Sequence, residues 1–165
     1  LIRTIADAVG KPDAGEALVK RTQEQIDQAK KQIAAWKPAK PMRVAFLYVR
    51  GNAGVFFILG SENGASELIQ GVGADDVASD KGITTLVPAN AESLVSINPD
   101  AIFVMRDGLA STGGMKGLLA RAGVANTTAG RKQRVISIPD GISLSFGPQT
   151  GEVLTAVAKA LYGVK

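Results

Sequence analysis

Short apolar runs alternate with segments of helical periodicity from Met42 to the end of the chain. This alternation is typical of α/β proteins, in which helices cover both faces of a mainly parallel sheet. Each run is continuously apolar, as expected for strands that are buried on both faces. We therefore predict a Rossmann-like α/β lobe whose four strands span residues 43–49, 85–87, 101–105 and 134–138. Helices are predicted near residues 66–72, 90–97 and 115–122, with a C-terminal helix over 153–161.

A long helix precedes this lobe. Residues 14–36 carry one narrow apolar stripe surrounded by charged residues, and Pro38 follows. At about 1.5 Å per residue this helix would extend roughly 34 Å, which suits a strut between two lobes. We expect residues 1–13 to be a remnant of an N-terminal lobe, 14–37 to be a bridging helix and 42–165 to be a C-terminal lobe. The stripe consists of Leu18, Ile26, Ala29, Ile33 and Trp36.

Composition removes several classes of function. The 165 residues include no cysteine and no histidine, which excludes disulfides, thiol catalysis, the usual zinc sites and histidine-based acid–base mechanisms. The net charge of +4 lies largely on the long helix, where acidic residues interleave with the basic ones, so we predict no nucleic-acid partner. No apolar run approaches the roughly 20 residues that a membrane-spanning helix needs.

The first strand of the lobe ends in a tyrosine and an arginine two residues apart. Tyr48 and Arg50 share one face of the strand, and Gly51 and Gly54 allow the chain to turn away. Tyrosine can bind ferric iron as phenolate, but its solution pKa near 10 requires that the anion be stabilised. A neighbouring guanidinium supplies a positive charge and a hydrogen bond for that purpose. Spacing alone favours the alternative of an ordinary half-buried tyrosine and a surface arginine.

Two further strand ends carry glycine-rich segments, at residues 106–114 and 139–147, which we interpret as loops. Ligands of open α/β sheets bind beyond the carboxyl ends of the strands, so the three ends should converge on one site. Asp107 and Asp140 could instead be turn residues, or the acid and base of a small enzyme. Phe56 could cover a flat apolar ligand or pack in the core. The predicted binding set is Tyr48, Arg50, Gly51, Phe56, Gly108 and Ser145.

These motifs resemble those of the haemin-binding substrate-binding proteins of bacterial ABC importers. The resemblance rests on four segments and extends over nearly the whole chain, as the second half of a family member. The segments are Arg43 to Gly51, Asn98 to Met105, Gly108 to Gly114 and Leu144 to Pro148.

The resemblance implies two α/β lobes joined by one long helix, with ferric haem carried in the cleft between them. Tyr48 would be an axial ligand to the haem iron, and Arg50 would hydrogen bond to Tyr48. The second axial ligand in that branch is a histidine of the other lobe, so this chain alone should bind haem weakly or not at all. Glu92 would dock on the ABC permease. The implied protein is an extracytoplasmic, lipid-anchored carrier and not an enzyme; a ferric siderophore or cobalamin carrier is the alternative.

Overall fold

A computed structural model describes residues 1–51, 54–141 and 144–165 of the chain. The strands are β1 (Arg43–Arg50), β2 (Val55–Leu59), β3 (Asp75–Asp76), β4 (Leu86–Pro88), β5 (Ala101–Met105) and β6 (Val135–Ile138). The helices are α1 (Ile2–Ala8), α2 (Pro12–Trp36), α3 (Ala65–Gly71), α4 (Val77–Asp80), α5 (Ala91–Ile97), α6 (Arg106–Ser111), α7 (Gly114–Leu119), α8 (Thr128–Arg131) and α9 (Thr150–Tyr162). Within these residues no helix has the length and apolarity needed to cross a membrane.

The strands form one sheet in the order β4-β2-β1-β5-β6, and β3 pairs with the start of β1. The pairings of β1 with β3 and β5, and of β5 with β6, are parallel. The β1–β2 and β2–β4 pairings are antiparallel. The α/β lobe with a mainly parallel sheet is therefore confirmed, with an antiparallel edge added on the β2 side.

Alternate residues of β1 enter two separate cores. Val44 and Phe46 join the core beneath α2, α3 and α9, where Phe46 meets Phe103 edge-to-face at 6.5 Å. Ala45, Leu47 and Val49 point to the opposite core, beneath the shorter helices. Helices therefore cover both faces of the sheet, which explains why the strands read as continuously apolar.

The long helix α2 begins two residues before its predicted start and ends at the predicted residue, Trp36. Ala29 and Ile33 of the predicted stripe are buried in the core that α2 shares with α9, and Ile26 and Trp36 pack against it. Four residues of the predicted stripe therefore lie on the face of α2 that packs against the lobe. The bridging role of α2 between two lobes stays a prediction.

One strand was not predicted, and one predicted loop was wrong. The run Val55–Leu59 is a strand, β2, which pairs with β1 across the turn at Gly51 and Gly54. Short β-rich runs separated by a few glycine-containing residues are a hairpin signal, so the sequence does indicate this strand. The segment interpreted as a loop after residue 105 begins with helix α6. That helix can start immediately because its glycine allows close packing against β1, as described below.

Candidate functional site

Tyr48 and Arg50 lie together at the carboxyl end of β1, as their spacing predicts. Tyr48 is half-buried, and the guanidinium carbon of Arg50 lies 5.3 Å from the centroid of the Tyr48 ring. Arg50 keeps 36% of its side-chain surface exposed. Its Nη1 atom is buried and has no hydrogen-bond partner within the described residues. Arg50 therefore holds its positive charge close to the Tyr48 ring.

Asp140, at the end of β6, fixes the orientation of Arg50. Its Oδ1 accepts a hydrogen bond from Arg50 Nη2 at 2.8 Å, and its Oδ2 accepts one from the backbone N–H of Asp107 at 2.8 Å. Hydrogen bonding to Asp140 raises the pKa of the Arg50 guanidinium, and Tyr48 adds a smaller increase. Desolvation acts to raise the pKa of Asp140, but the Asp107 N–H and Arg50 outweigh it, so this pKa is lowered. The three predicted strand ends do converge, and Asp140 joins them.

This geometry argues against the acid–base pair considered for Asp107 and Asp140. An enzyme built on them would need a carboxylate whose pKa is raised. Asp140 is instead an ionised partner of Arg50, and it contacts Asp107 through the backbone rather than through the second carboxylate. The side chain of Asp107 is exposed. Asp140 is therefore better described as a positioning residue than as an acid or a base.

Gly108 is buried on α6, directly against β1. A Cβ atom there would lie 2.5 Å from the Val49 carbonyl oxygen and 3.1 Å from Arg50 Nη1. No side chain fits in that space, since real Cβ contacts essentially never fall below 3.0 Å. Gly108 thus allows α6 to pack against Arg50, and a direct contact between Gly108 and a ligand stays a prediction.

Gly51 forms the turn after Arg50, with a φ of 59° that favours glycine. Its N–H donates to Ser111 Oγ at 2.8 Å, and its carbonyl oxygen accepts from Arg121 Nη2. Residues 52–53 and 142–143, which belong to the predicted loops, lie outside the described residues.

The predicted ligand-covering residue, Phe56, lies on the wrong face of the sheet. It pairs with Val49, is only 9% exposed and packs in the core opposite Tyr48. Residues directly opposite in an antiparallel pair share a face, so Phe57, the partner of Tyr48, lies on the site side. The sequence alone does not fix the β1–β2 register, so it does not show which of the two phenylalanines shares a face with Tyr48.

Ser145 is exposed on the segment that follows β6. Its hydroxyl donates to the Gly141 carbonyl oxygen at 3.0 Å. It lines a cavity of about 290 Å³ together with Phe146, which is 42% exposed, and Leu1. The described contacts give Ser145 no link to Tyr48 or Arg50, so its place in the site stays a prediction.

A protein-family model described as periplasmic binding protein matches residues 1–141. The chain belongs to the periplasmic binding protein family. Its sheet order and flanking helices are those of one α/β lobe of such a protein, and the Tyr48–Arg50 pair lies at the carboxyl edge of that sheet.

Several solved members of the periplasmic binding protein family are similar to this chain. The heme-binding protein HmuT is 49% identical with a TM-score of 0.97, over 99% of this chain and 53% of that one. The periplasmic heme-binding protein RhuT from Roseiflexus sp. RS-1 is 35% identical with a TM-score of 0.92, over 98% and 60%. BhuT, solved with two hemes, is 32% identical with a TM-score of 0.87, also over 98% and 60%. The chain therefore spans about half the length of HmuT.

Structures of HmuT also exist for variants in which a tyrosine, an arginine two residues after it, or a histidine is replaced by alanine. A search of curated proteins found no match to the chain.

Glu92 lies far along the chain from this cluster, on α5, and its side chain is exposed in the first turn. Hydrogen bonds from side chains stabilise both ends of α5. Asn90 and Ser93 form a capping box at the start, and the Arg43 guanidinium donates to the carbonyl oxygens of Ile97 and Asn98 at the end. The position of Glu92 on the surface is therefore fixed, whereas its docking role stays a prediction.

Three residues near the site were not predicted. Met105 Sδ accepts a hydrogen bond from Arg50 Nη2 at 3.5 Å, and its position at the end of β5 could have revealed it. Ser111 lies within the glycine-rich segment 106–114 but is not among the predicted binding residues. Arg121 follows α7 and carries no local signal, because only the tertiary fold brings it to Gly51.

Proposed function

We propose that this chain forms the C-terminal lobe of an extracytoplasmic haem-binding protein that delivers ferric haem to an ABC permease, with Tyr48 as an axial ligand of the iron. The supporting observation is the half-buried Tyr48 beside a guanidinium that Asp140 holds in place. The match with haem-binding relatives points to the same cargo, and the alanine variants of HmuT have the same tyrosine-x-arginine spacing.

The chemistry of the pair fits a ferric cargo. A phenolate is a hard anionic ligand for ferric iron, and a positive charge beside the tyrosine oxygen favours the phenolate form. Arg50 supplies that charge, and its Asp140 and Met105 contacts restrict the rotamers that the long side chain can adopt.

The surroundings of Tyr48 suit a flat apolar ligand. Tyr48, Met105 and Leu144 are partly buried hydrophobic residues packed against the same core. Phe57 lies opposite Tyr48 on β2 and is half-buried. Small-ligand sites typically combine such apolar surface with a few well-placed polar groups, and Tyr48 and Arg50 are those groups here.

In the whole protein, α2 would join this lobe to a second lobe that closes the cleft and supplies the other axial ligand. Family membership supports an extracytoplasmic location. Membrane attachment would use a lipid anchor outside this chain, and the protein would act as a carrier and not as an enzyme. The alternatives of the same class, ferric siderophores and cobalamin, would contact Tyr48 and Arg50 through the chelate rather than through iron.

Equilibrium titration of the full-length protein with ferric haem, a ferric siderophore and cobalamin tests this proposal. We expect saturable binding of ferric haem and no comparable binding of the other two ligands. Preferential binding of the siderophore or cobalamin would retain the carrier and reject the haem assignment. Absence of binding to all three would reject the carrier function.

The permease contact is tested separately through Glu92. Glu92→Ala should slow haem delivery to permease-containing vesicles without changing haem affinity, because an exposed charge mainly affects association rate. Glu67→Ala is the matched control, since Glu67 is also an exposed first-turn glutamate of a short helix, α3. Equal delivery rates for the two variants would contradict a docking role for Glu92.

A further inference from the structure

Two side chains from distant parts of the chain hold the turn that follows Arg50. The N–H of Gly51 donates to Ser111 Oγ at 2.8 Å, and the carbonyl oxygen of Gly51 accepts from Arg121 Nη2. Ser111 is the last residue of α6, and Arg121 follows α7. Both backbone polar groups of Gly51 are therefore bonded to side chains.

Arg121 also contacts the second arm of the hairpin. Its guanidinium carbon lies 4.7 Å from the ring centroid of Phe56, which pairs with Val49 across the β1–β2 ladder. A planar guanidinium can stack its face on an aromatic ring while its edge donates hydrogen bonds, which a lysine ammonium cannot reproduce. Arg121 thus joins Gly51 on one arm to Phe56 on the other.

A hydrogen bond within α6 fixes the side chain of Ser111. Its hydroxyl donates to the Gly108 carbonyl oxygen at 2.7 Å while accepting from the Gly51 N–H. Gly108 is the residue that packs against the Val49 carbonyl and Arg50 Nη1. A single hydroxyl therefore connects the turn after Arg50 with the helix that confines the Arg50 guanidinium.

We propose that Arg121 and Ser111 are positioning residues for the Tyr48–Arg50 pair, acting through Gly51. This inference rests on the proposed haem function. Glycine has the greatest backbone freedom of any residue, so Gly51 by itself places little restraint on the chain as it leaves β1. A binding group must be held within about 0.5 Å and 10–20° of its working geometry. The two hydrogen bonds and the stacked guanidinium restrain the backbone at the residue next to Arg50.

The test compares Arg121→Gln, Arg121→Lys and Ser111→Ala in the full-length protein. Arg131→Gln is the matched control, because Arg131 also donates to a backbone carbonyl, that of Asn126, but lies on α8 away from the turn. We measure the rate of ferric-haem transfer to excess apomyoglobin and the visible spectrum of the ferric complex. Thermal unfolding midpoints show whether each variant remains folded.

Arg121→Gln should accelerate haem release about tenfold, the lower end of the range for residues that orient a metal ligand, and should shift the phenolate-to-iron band. Arg121→Lys should restore part of the wild-type behaviour because it keeps one donor and the positive charge. Ser111→Ala should act in the same direction with a smaller effect. Release rates and spectra of Arg121→Gln that match those of Arg131→Gln would overturn the proposal.

A second readout needs no haem. Amide exchange of the apo protein, followed by NMR at Gly51, should be slow in the wild type and in Arg131→Gln and faster in Ser111→Ala and Arg121→Gln. Rapid exchange at Gly51 in the wild type would show that the restraint does not exist and would overturn the proposal. A wild-type protein that shows slow exchange at Gly51 but does not bind haem would give a different result. It would support the two hydrogen bonds at Gly51 but reject the haem function, and with it the proposal that these bonds position a haem ligand.

Discussion

The two ends of strand β1 each carry an arginine, and the two arginines are used in different ways. At the start of the strand, Arg43 Nη1 and Nη2 donate to the carbonyl oxygens of Asn98 and Ile97 at 3.0 and 2.7 Å. Its backbone N–H donates to Asp100 Oδ2 at 3.0 Å. Arg43 thus ties β1 to the end of α5, and its terminal nitrogens are both bonded within the fold.

At the other end, only one of the two terminal nitrogens of Arg50 is hydrogen bonded within the described residues. Its Nη2 bonds to Asp140, while Nη1 is buried without a partner within the described residues and lies near the half-buried Tyr48. A buried donor without a partner carries a free-energy cost that a ligand oxygen can relieve. The Asn98-Pro99-Asp100 motif therefore serves the fold, whereas the proposed function assigns Tyr48 and Arg50 to the ligand.

The largest effect is expected for the tyrosine ligand. Tyr48→Phe should weaken ferric-haem binding of the full-length protein by at least about 100-fold, since replacing even a residue that only orients a metal ligand costs about 10–100-fold. The protein should remain folded because the Tyr48 ring is retained. Equilibrium titration followed by visible absorption measures the change.

Tyr162→Phe is the control for that substitution, because the chain has only two tyrosines. The Tyr162 hydroxyl donates to the Val72 carbonyl oxygen at 2.7 Å, and burial, aided by the negative charge of Asp75, raises its pKa. Its loss should lower stability by about 1 kcal/mol and leave haem affinity unchanged. Equal affinities of the two variants would contradict the assignment of Tyr48.

The next effect concerns stability at the opposite end of β1. Arg43→Met should lower the free energy of unfolding by about 1–3 kcal/mol, because two carbonyl oxygens at the end of α5 lose their donors. The haem spectrum should not change. Urea unfolding measures the loss, with Arg21→Met, an exposed arginine of α2, as the reference. A spectral change comparable with that of an Arg50 variant would mean that the two ends of β1 are not functionally distinct.

A smaller effect is expected at Arg50. Arg50→Gln should reduce haem affinity about tenfold by removing the positive charge and the donor beside Tyr48. Arg50→Lys should recover part of the affinity, because it keeps the charge but cannot bind Asp140 and the ligand in the same fork geometry. Competition titration against a reference haem protein ranks the variants. An affinity of Arg50→Gln equal to that of wild type would show that Arg50 does not act on the ligand.

The smallest effect concerns the pH dependence of the Arg50–Asp140 pair. The folded-state pKa of Asp140 is below its ordinary 3.8, so the pair stabilises the fold above that pH and the contribution is lost as pH falls through the folded value.

The pair is partly exposed, so Asp140→Asn should cost no more than about 1 kcal/mol at neutral pH. The stability difference from wild type should be constant above about pH 5 and shrink below it. Asp80→Asn, an exposed aspartate, is the control; a difference that persists at low pH would contradict the ion pair.

Much of the fold could be predicted from the sequence because its signals are local. Continuous apolar runs located β1, β5 and β6, the apolar stripe located α2, and Asn90 marked the start of α5. The strand-end rule brought Tyr48, Arg50 and Asp140 to one edge, and the structure places them in contact.

The remaining features depend on long-range register and packing. The β1–β2 register decides that Phe57, and not Phe56, shares a face with Tyr48. The start of α6 depends on the close fit of Gly108 against Val49, and the role of Arg121 depends on a contact between residues 70 positions apart. None of these relations has a periodic or compositional signal in a single sequence.

Resonance Raman spectroscopy of the ferric-haem complex tests the central claim most directly. With excitation into the phenolate-to-iron band, the full-length wild type should show tyrosinate modes that are absent from Tyr48→Phe and unchanged in Tyr162→Phe. This result would establish Tyr48 as the ligand at the carboxyl end of β1. A haem-bound wild type whose spectrum is identical to that of Tyr48→Phe would contradict the account.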